Sequence, residues 1–332
     1  MSDFNNKIAI VGLGSIGTKH LRLLRKLRPE LEITIVRSGH GKEVVDESIA
    51  DRTVRSIDEA ISLGIKAAII SSPASLHLEQ SIKLAKAKIH LFIEKPLSTN
   101  TERIDQLLEI VEKNNLIVLL GYVFRHNLGA KKFNCLLKDN KIGDILHAKL
   151  DSGSYLPSWR KDLNYKNSVS SKKELGGGVL FELSHELDMI SWFFPSLISL
   201  IGFLNNSGSL GINVEDSVDI NFKAEENYIL SAHIDFNTRF SRRKFIVHGT
   251  RGDLMWDALN DYIEYSLIDK DKELIKFDKE KTKMYEHQFL HFFDCIEKGL
   301  APAVSINHGS EVIKMIEYVI ESDFLGKIVT IK

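Results

Sequence analysis

Residues Lys7–Gly17 read Lys-Ile-Ala-Ile-Val-Gly-Leu-Gly-Ser-Ile-Gly. Lys7–Val11 is a β-branched run of strand length, and Gly12, Gly14 and Gly17 follow it at G-x-G-x-x-G spacing. Ile16, His20, Leu24 and Leu27 then recur at helical spacing until Pro29 closes the helix. Strand, glycine turn and helix in that order give the motif its meaning. Gly12 permits the tight turn, Gly14 lets the backbone approach a pyrophosphate, and Gly17 lets helix and strand pack closely. The phosphates of a dinucleotide would meet the helix's unbonded N–H groups and positive end. The stretch therefore predicts a dinucleotide-binding unit, with Gly12, Gly14, Ser15, Ile16 and Gly17 at the ligand.

Outward from this turn, Ile33–Val36 reads as a second buried strand. A carboxylate about twenty residues after the glycines would accept from the ribose of NAD. This chain has Arg37, Ser38 and Gly39 there, with Lys42 a little later. An Arg suits a 2′-phosphate, so NADP is favoured over NAD, with Arg37 and Ser38 as the contacts. Glu43 and Asp46 are near enough in sequence to keep NAD open. Ser56-Ile57-Asp58-Glu59 has the form of a capping box opening a helix. Strands at Ala67–Ile70, Leu91–Ile93 and Leu116–Leu120 alternate with helices at Leu76–Ala87 and Thr101–Glu112. Such alternation predicts an α/β Rossmann unit with a doubly wound parallel sheet. Ser71, Ser72 and Pro73 close one strand beside the cofactor, with His77 at the start of the next helix.

The run Leu91–Ile93 ends abruptly in Glu94-Lys95-Pro96. In open α/β sheets ligands bind at the carboxyl ends of strands, which places this charged pair at the site. Pro96 pushes Lys95 towards an extended backbone. A lysine held there is a candidate acid or base.

The length of 332 residues suits two domains, and a charged content of 27% with net charge -1 describes an ordinary globular chain. A charge so near zero gives no electrostatic case for nucleic acid or a membrane surface. Cys135 and Cys295 are too few for a disulfide framework and lack metal-ligand spacing. With no signal peptide, the expected compartment is the cytoplasm. Met189–Leu204 is apolar but interrupted by Pro195, so it reads as a helix end followed by a strand from about Leu197.

Gly121 is the natural boundary, dividing the chain into residues 1–121 for the dinucleotide and 122–332 for substrate and oligomerisation. Tyr122 falls to the cofactor and Arg125 to the substrate. A helix near Leu128–Leu137 and a strand through Ile145–Leu150 lead to a long polar segment, Ser152–Lys173. Its Tyr155, Trp159, Arg160 and Tyr165 suit a lid that stacks on a sugar or base. Gly176-Gly177-Gly178 then opens what reads as one helix, with Glu182, His185 and Asp188 on a shared face. A His beside a carboxylate is a proton-transfer pair. Metal binding by Glu-x-x-His would need a second such motif, which the sequence lacks.

From Val214 onward apolar and polar residues alternate, as in Val218, Ile220 and Phe222 against Asp219 and Asn221. This predicts an α+β domain with a large open, mostly antiparallel sheet. Its strands continue through Arg242–Thr250, Leu254–Trp256 and Tyr262–Ser266. Helices near Tyr285–Lys298 and His308–Glu321 and a strand at Ile328–Ile331 complete it. A sheet with one face left over predicts a homodimer or homotetramer.

The motifs Gly12–Gly17, Ser72-Pro73 with His77, Glu94-Lys95-Pro96, Gly176-Gly177-Gly178 with His185, and the Gly309 and Gly326 region together resemble the Gfo/Idh/MocA oxidoreductase family. The resemblance runs essentially end to end. Tyr155–Arg160, Ser184–Asp188 and Arg239 to Arg242 with Gly249–Asp257 are similar to members found with bacterial surface-sugar biosynthesis. The resemblance implies a catalytic role for Lys95 and an assisting one for His185. Many members carry Asp-x-x-x-His where this chain has Glu182-x-x-His185, which leaves open which group is the principal acid or base. The implied reaction is hydride transfer between a sugar or nucleotide-sugar carbinol and NADP or NAD. Alternatives are an NAD-dependent glycosidase or epimerising enzyme on the same scaffold, and a non-catalytic sensor; retention of Lys95 and His185 favours an enzyme.

Overall fold

The computed structural model describes residues 6–39, 45–160, 163–277 and 281–332. Lys42 and Glu43 of the cofactor-selectivity reading lie outside them. In chain order the first half runs β1 (Lys7–Val11), α1 (Ser15–Leu27), β2 (Glu32–Val36), β3 (Arg52–Val54), α2 (Ile57–Ser62), β4 (Ala67–Ile70), α3 (Ala74–Lys86), β5 (His90–Ile93), α4 (Ile104–Lys113) and β6 (Val118–Leu120). Then come α5 (Leu128–Lys138), β7 (Ile145–Gly153), α6 (Val179–Glu182), α7 (Ser184–Phe193), β8 (Leu197–Asn205), β9 (Ser217–Ala224), β10 (Ile229–Asp235), β11 (Arg242–Gly249), β12 (Gly252–Asp257), β13 (Tyr262–Leu267) and β14 (Glu273–Lys276). The chain closes with α8 (Lys281–Lys298), α9 (Ile306–Leu325) and β15 (Val329–Thr330).

The chain folds as two units, Met1–Tyr122 with Tyr285–Ile313, and Val123–Met284 with Lys314–Lys332. In the first unit the strands form one parallel sheet of order β3-β2-β1-β4-β5-β6 among the described residues. β1, β4 and β5 are buried because helices cover both faces, which is why they read as unbroken apolar runs. The core joins Ile8, Ile10, Ile33, Ile35 and Phe92 to Phe289 and Phe292 of α8. Phe92 stacks on Phe289 at 5.1 Å. Ser56 caps α2 by accepting from the Glu59 N–H, as its spacing predicts. β3 was not legible: Arg-Thr-Val has no apolar run, and it joins the sheet only as an edge.

The second unit is a mixed sheet of order β14-β13-β12-β11-β7-β10-β9-β8-β15. Alternation along β9 puts Val218, Ile220 and Phe222 inside and Asp219, Asn221 and Lys223 outside. Neighbours are antiparallel except β7 and β10, which run parallel from Ile229↔His147 to Asp235↔Gly153. Alternation reports one buried face and is blind to strand direction. Under that face α5 and α7 supply Phe133 and Phe193, which pack on Phe245 and the buried Trp256; the last two stack at 6.0 Å. Among the described residues no helix is long and apolar enough to cross a membrane.

On the opposite face His233 Nδ1 lies 2.7 Å from Asp219, and its Nε2 lies 3.3 Å from Asp235. Hydrogen bonding to Asp235, then to Asp219, outweighs burial and pushes His233 up to about 9. Burial alone would raise Asp235, but His233 and the Thr238 and Asn237 donors pull it down to about 2.

Replacing Trp256 by Ala should cost about 3–5 kcal/mol of stability to urea, because a large void opens among four aromatic rings. A cost near zero would contradict this packing. The His233 contribution is complete below the unfolded value of 6.5 and is lost as pH rises through about 9. The Asp235 contribution is complete above 3.8 and is lost as pH falls through about 2. Melting temperatures across pH should therefore decline on the alkaline side, and His233→Ala should flatten that limb; an unaltered limb would remove His233 as its origin.

Candidate active site

Parallel register lines up the ends of four strands in the first unit. Val11 pairs with Ile70, Ile70 with Ile93, and Ile93 with Leu120, so Gly12, Ser71, Glu94 and Gly121 stand next in line at one sheet edge. Gly12 has φ +90, the left-handed region, and its N–H donates to Val36 O. A Cβ on Gly17 would clash with the Gly12 carbonyl and stand 2.7 Å from Ser71 Oγ. Gly14 has no protein atom within 4 Å of where its Cβ would be. α1 begins there with no side-chain cap and no acidic residue in its first turn. Ser15 is exposed and Ile16 half-buried. An open glycine before an uncapped helix start fits a dinucleotide pyrophosphate.

The serines do different work. Ser71 Oγ donates to Gly12 O at 2.7 Å, bracing the turn from behind. Ser72 Oγ donates to Gln80, and its carbonyl faces His77 Nε2 at 2.8 Å. His77 Nδ1 meets Pro96 O at 2.7 Å. The buried imidazole therefore links the segment after β4, which ends in Pro73, to the Lys95-Pro96 segment. Burial, stronger than its carbonyl contacts, holds His77 below the usual range.

Glu94 is buried, with Oε1 2.5 Å from His20 Nε2 and Oε2 accepting from the Lys95 N–H at 3.1 Å. Burial would raise its carboxyl, but the His20 hydrogen bond and the charges of His20 and Lys95 hold it below the ordinary value. A Cβ on Gly121 would stand 2.9 Å from Glu94 Oε2, so a larger residue there would push on the carboxylate that His20 holds. Lys95 itself is half-buried beside this fixed carboxylate. Lys19 lies 3.2 Å over the Tyr285 ring, and burial lowers its ammonium against the pull of Glu94. Neither His20 nor Lys19 stood out in the sequence; the signal for His20 was a polar residue on the apolar stripe of α1. Arg37, closing β2, is held by Glu47 in an ion pair, and Ser38 is exposed beyond it. Tyr122 is fully buried, so it presents no surface to a cofactor in this conformation.

In the second unit the expected single helix after the glycines is two. α6 ends at Glu182, Leu183 takes φ -102 and ψ 28, and α7 starts at Ser184. The Leu183 N–H still closes α6 on Val179 O, and the Glu186 N–H opens α7 on Leu183 O. The break at Leu183 therefore removes the single-helix basis for placing Glu182 on the face of His185 and Asp188, which stay three residues apart within α7. His185 is half-buried, its ring edge-on to Phe124 at 5.4 Å. Asp188 is fully buried and binds Arg125, with Nε–Oδ2 3.0 Å and Nη2–Oδ1 2.8 Å. Arg125 also lies 4.7 Å over Trp192. Asp188 thus orients an arginine, and offers no exposed atom to a substrate.

Glu186, missed in the sequence, is also fully buried; its Oε1 accepts from Ser152 Oγ and Arg243 Nε, while Oε2 has no hydrogen-bond partner. Arg243 lies 4.7 Å over Phe124, the ring that touches His185. Gly178, at φ +106, turns against the Glu215 carboxylate, which accepts from Leu180 N and which burial pushes up. Trp159, Arg160 and Tyr165 line one pocket with Leu156, Leu163, Ser168 and Ser170. Trp159 donates to Ser154 and Tyr165 to Leu210 O, whereas Tyr155 instead stacks under Arg239 at 3.6 Å. Among the described residues no His, Cys, Asp and Glu group could hold a metal.

Two family models match the chain. One, described as an oxidoreductase family NAD-binding Rossmann fold (GFO_IDH_MocA), matches residues 6–122; the other, the C-terminal alpha/beta domain of that family, matches residues 135–331. The 2,7-anhydro-N-acetylneuraminate hydratase of Escherichia coli (strain K12) is 24% identical over 255 residues, 75% of this chain and 66% of that protein. A levoglucosan dehydrogenase in complex with NADH superposes with TM-score 0.85 at 18% identity, covering 98% of this chain and 99% of that one. The WlbA dehydrogenase of Chromobacterium violaceum, in complex with NADH and UDP-GlcNAcA, superposes with TM-score 0.83 at 17% identity, covering 100% and 97%.

Gly17→Ala should weaken binding of NADH or NADPH at least about tenfold, since the turn must move to admit a methyl group. Energy transfer from tryptophan to bound nicotinamide measures it, and an unchanged Kd would detach the glycine turn from the ligand.

Proposed function

Because the chain belongs to the Gfo/Idh/MocA oxidoreductase family, we propose that it is a dehydrogenase of a sugar or nucleotide sugar, with Lys95 as its principal acid or base. The observation that carries this reading is Lys95 itself. It follows Glu94 at the same sheet edge as the glycine turn, beside a carboxylate fixed by His20. A bound nicotinamide supplies hydride acceptance or donation, the redox half of the reaction. Lys95 takes the proton from the substrate hydroxyl as the carbinol becomes a carbonyl, and returns it in reverse. His185 holds or relays that proton, and Glu182 orients it from across the break at Leu183. Arg125, carried by Asp188, and the side chains of Trp159, Arg160 and Tyr165 on the long polar segment hold the sugar.

The preferred dinucleotide is NADP, because Arg37 stands at the end of β2 where a ribose-binding carboxylate would favour NAD; NAD is the alternative, and the ion pair that Glu47 makes with Arg37 limits the preference. The proposed setting is bacterial surface-polysaccharide biosynthesis in the cytoplasm. Its supports are the resemblance of Tyr155–Arg160, the WlbA neighbour with a nucleotide sugar, and two unbridged thiols. A homodimer or homotetramer using the broad sheet of the second unit completes the reading.

The relative named as a hydratase favours a second reading, in which the cofactor is recycled within each turnover and no net oxidation appears. A screen of nucleotide sugars, cyclitols and anhydro sugars with NADP and NAD separates the two. Growth of the reduced-nicotinamide absorbance marks a dehydrogenase; product without it marks the recycling enzyme. Lys95→Met should lower turnover by about a hundredfold or more while leaving cofactor affinity nearly intact. Undiminished turnover would take Lys95 out of the chemistry.

A further inference from the structure

At the end of β2 the structure brings together charges that lie far apart in sequence. β2 and β3 pair in parallel with Val36 opposite Val54, so Arg37 and Arg55 follow side by side at the strand ends. The Arg37 N–H donates to Val54 O, fixing that register one residue further. Arg55 Nη1 would stand 2.8 Å from a Cβ on Gly39, so this guanidinium covers the turn leaving β2. Between the two arginines comes Glu47, from the 3-10 turn Val45–Ile49. Its Oε2 accepts from Arg37 Nη1. The Arg37 side chain is 12% exposed and Glu47 30%, so the pair is a partly buried fixture. The Arg37 hydrogen bond, then one from Thr53, hold the Glu47 carboxyl below its usual range, with Arg55 adding to the field.

In a doubly wound dinucleotide fold this corner faces the adenosine ribose, where NAD carries a 2′-hydroxyl and NADP a 2′-phosphate. A guanidinium already bonded to a carboxylate is a poor phosphate ligand, and the carboxylate repels the phosphate directly. We propose that Glu47 sets the cofactor selectivity of this chain, by occupying Arg37 and leaving Arg55 as the cation that meets a 2′-phosphate. Glu47 stands well beyond β2, outside the position where a selectivity carboxylate is ordinarily sought. This inference rests on the dinucleotide-binding reading, and deepens it by assigning the degree of NADP preference to Glu47.

The test is a pair of titrations, NADPH and NADH, against the whole chain, following tryptophan-to-nicotinamide energy transfer. They are run on the parent and on Glu47→Gln, Glu47→Ala and Arg55→Ala, with circular dichroism confirming each fold. Both Glu47 variants should shift the ratio of the two Kd values about tenfold towards NADPH, through tighter NADPH binding that weakens with added salt. Arg55→Ala should shift it the other way. Unchanged ratios in both Glu47 variants overturn the proposal. So does a selective loss of NADH affinity, which would make Glu47 a ribose acceptor. A parent chain that binds neither dinucleotide overturns the cofactor reading itself, an outcome distinct from either.

Discussion

Gly17 on α1, the carbonyl of Gly12 and the hydroxyl of Ser71 meet at a point with no room for another heavy atom. That contact sets how closely the first helix lies on the first strand. The helix axis then starts at the sheet edge, with Gly14 facing open space. Ser71 leaves β4 in register with Gly12, and Glu94 leaves β5 in register with Ser71. A wider helix–strand spacing would remove the Ser71 brace and loosen the turn that faces the phosphates. Two strand pairings in turn place Lys95 one residue beyond the row that the glycine turn starts.

Three buried ion pairs, one in the first unit and two in the second, share a logic. His20 with Glu94 fixes the carboxylate beside Lys95. Arg125 with Asp188, and Arg243 with Glu186, fix guanidinium planes against Trp192 and Phe124. Desolvation offsets much of the attraction in such pairs, so their contribution to stability is small. What they contribute is direction: each holds a polar head at one angle, and in the second unit the stacked ring continues the constraint towards His185.

The first unit was legible wherever local chemistry and tertiary context agreed. Strand, glycine turn and helix over residues 7–27 need no distant partner to be recognised, and neither does the Ser56 cap. β3 escaped because three residues without an apolar run become a strand only when β2 offers an edge. The break at Leu183 escaped because Val179–Phe193 satisfies helical periodicity on both sides of it. Of the proposed site residues, those carried by a local motif, such as Gly12, Gly17 and Lys95, could be named from the sequence. His20, Glu47, Glu186 and Glu215 could not, since each meets its partner only through pairing or packing of distant segments.

The aromatic face of α8 has one further consequence, which concerns time. Phe289 and Phe292 belong to the core of the first unit, yet they follow the bulk of the second unit in the chain. Synthesis proceeds from the amino terminus at about 5–20 residues per second. The parallel sheet therefore waits, with Phe92 packed on His20 but without Phe289 and Phe292, while the segment that builds most of the other sheet leaves the ribosome. A nascent chain of this architecture exposes an apolar strand layer for that whole interval. Its yield in a cell then depends on what shields that layer, as well as on the stability of the finished fold.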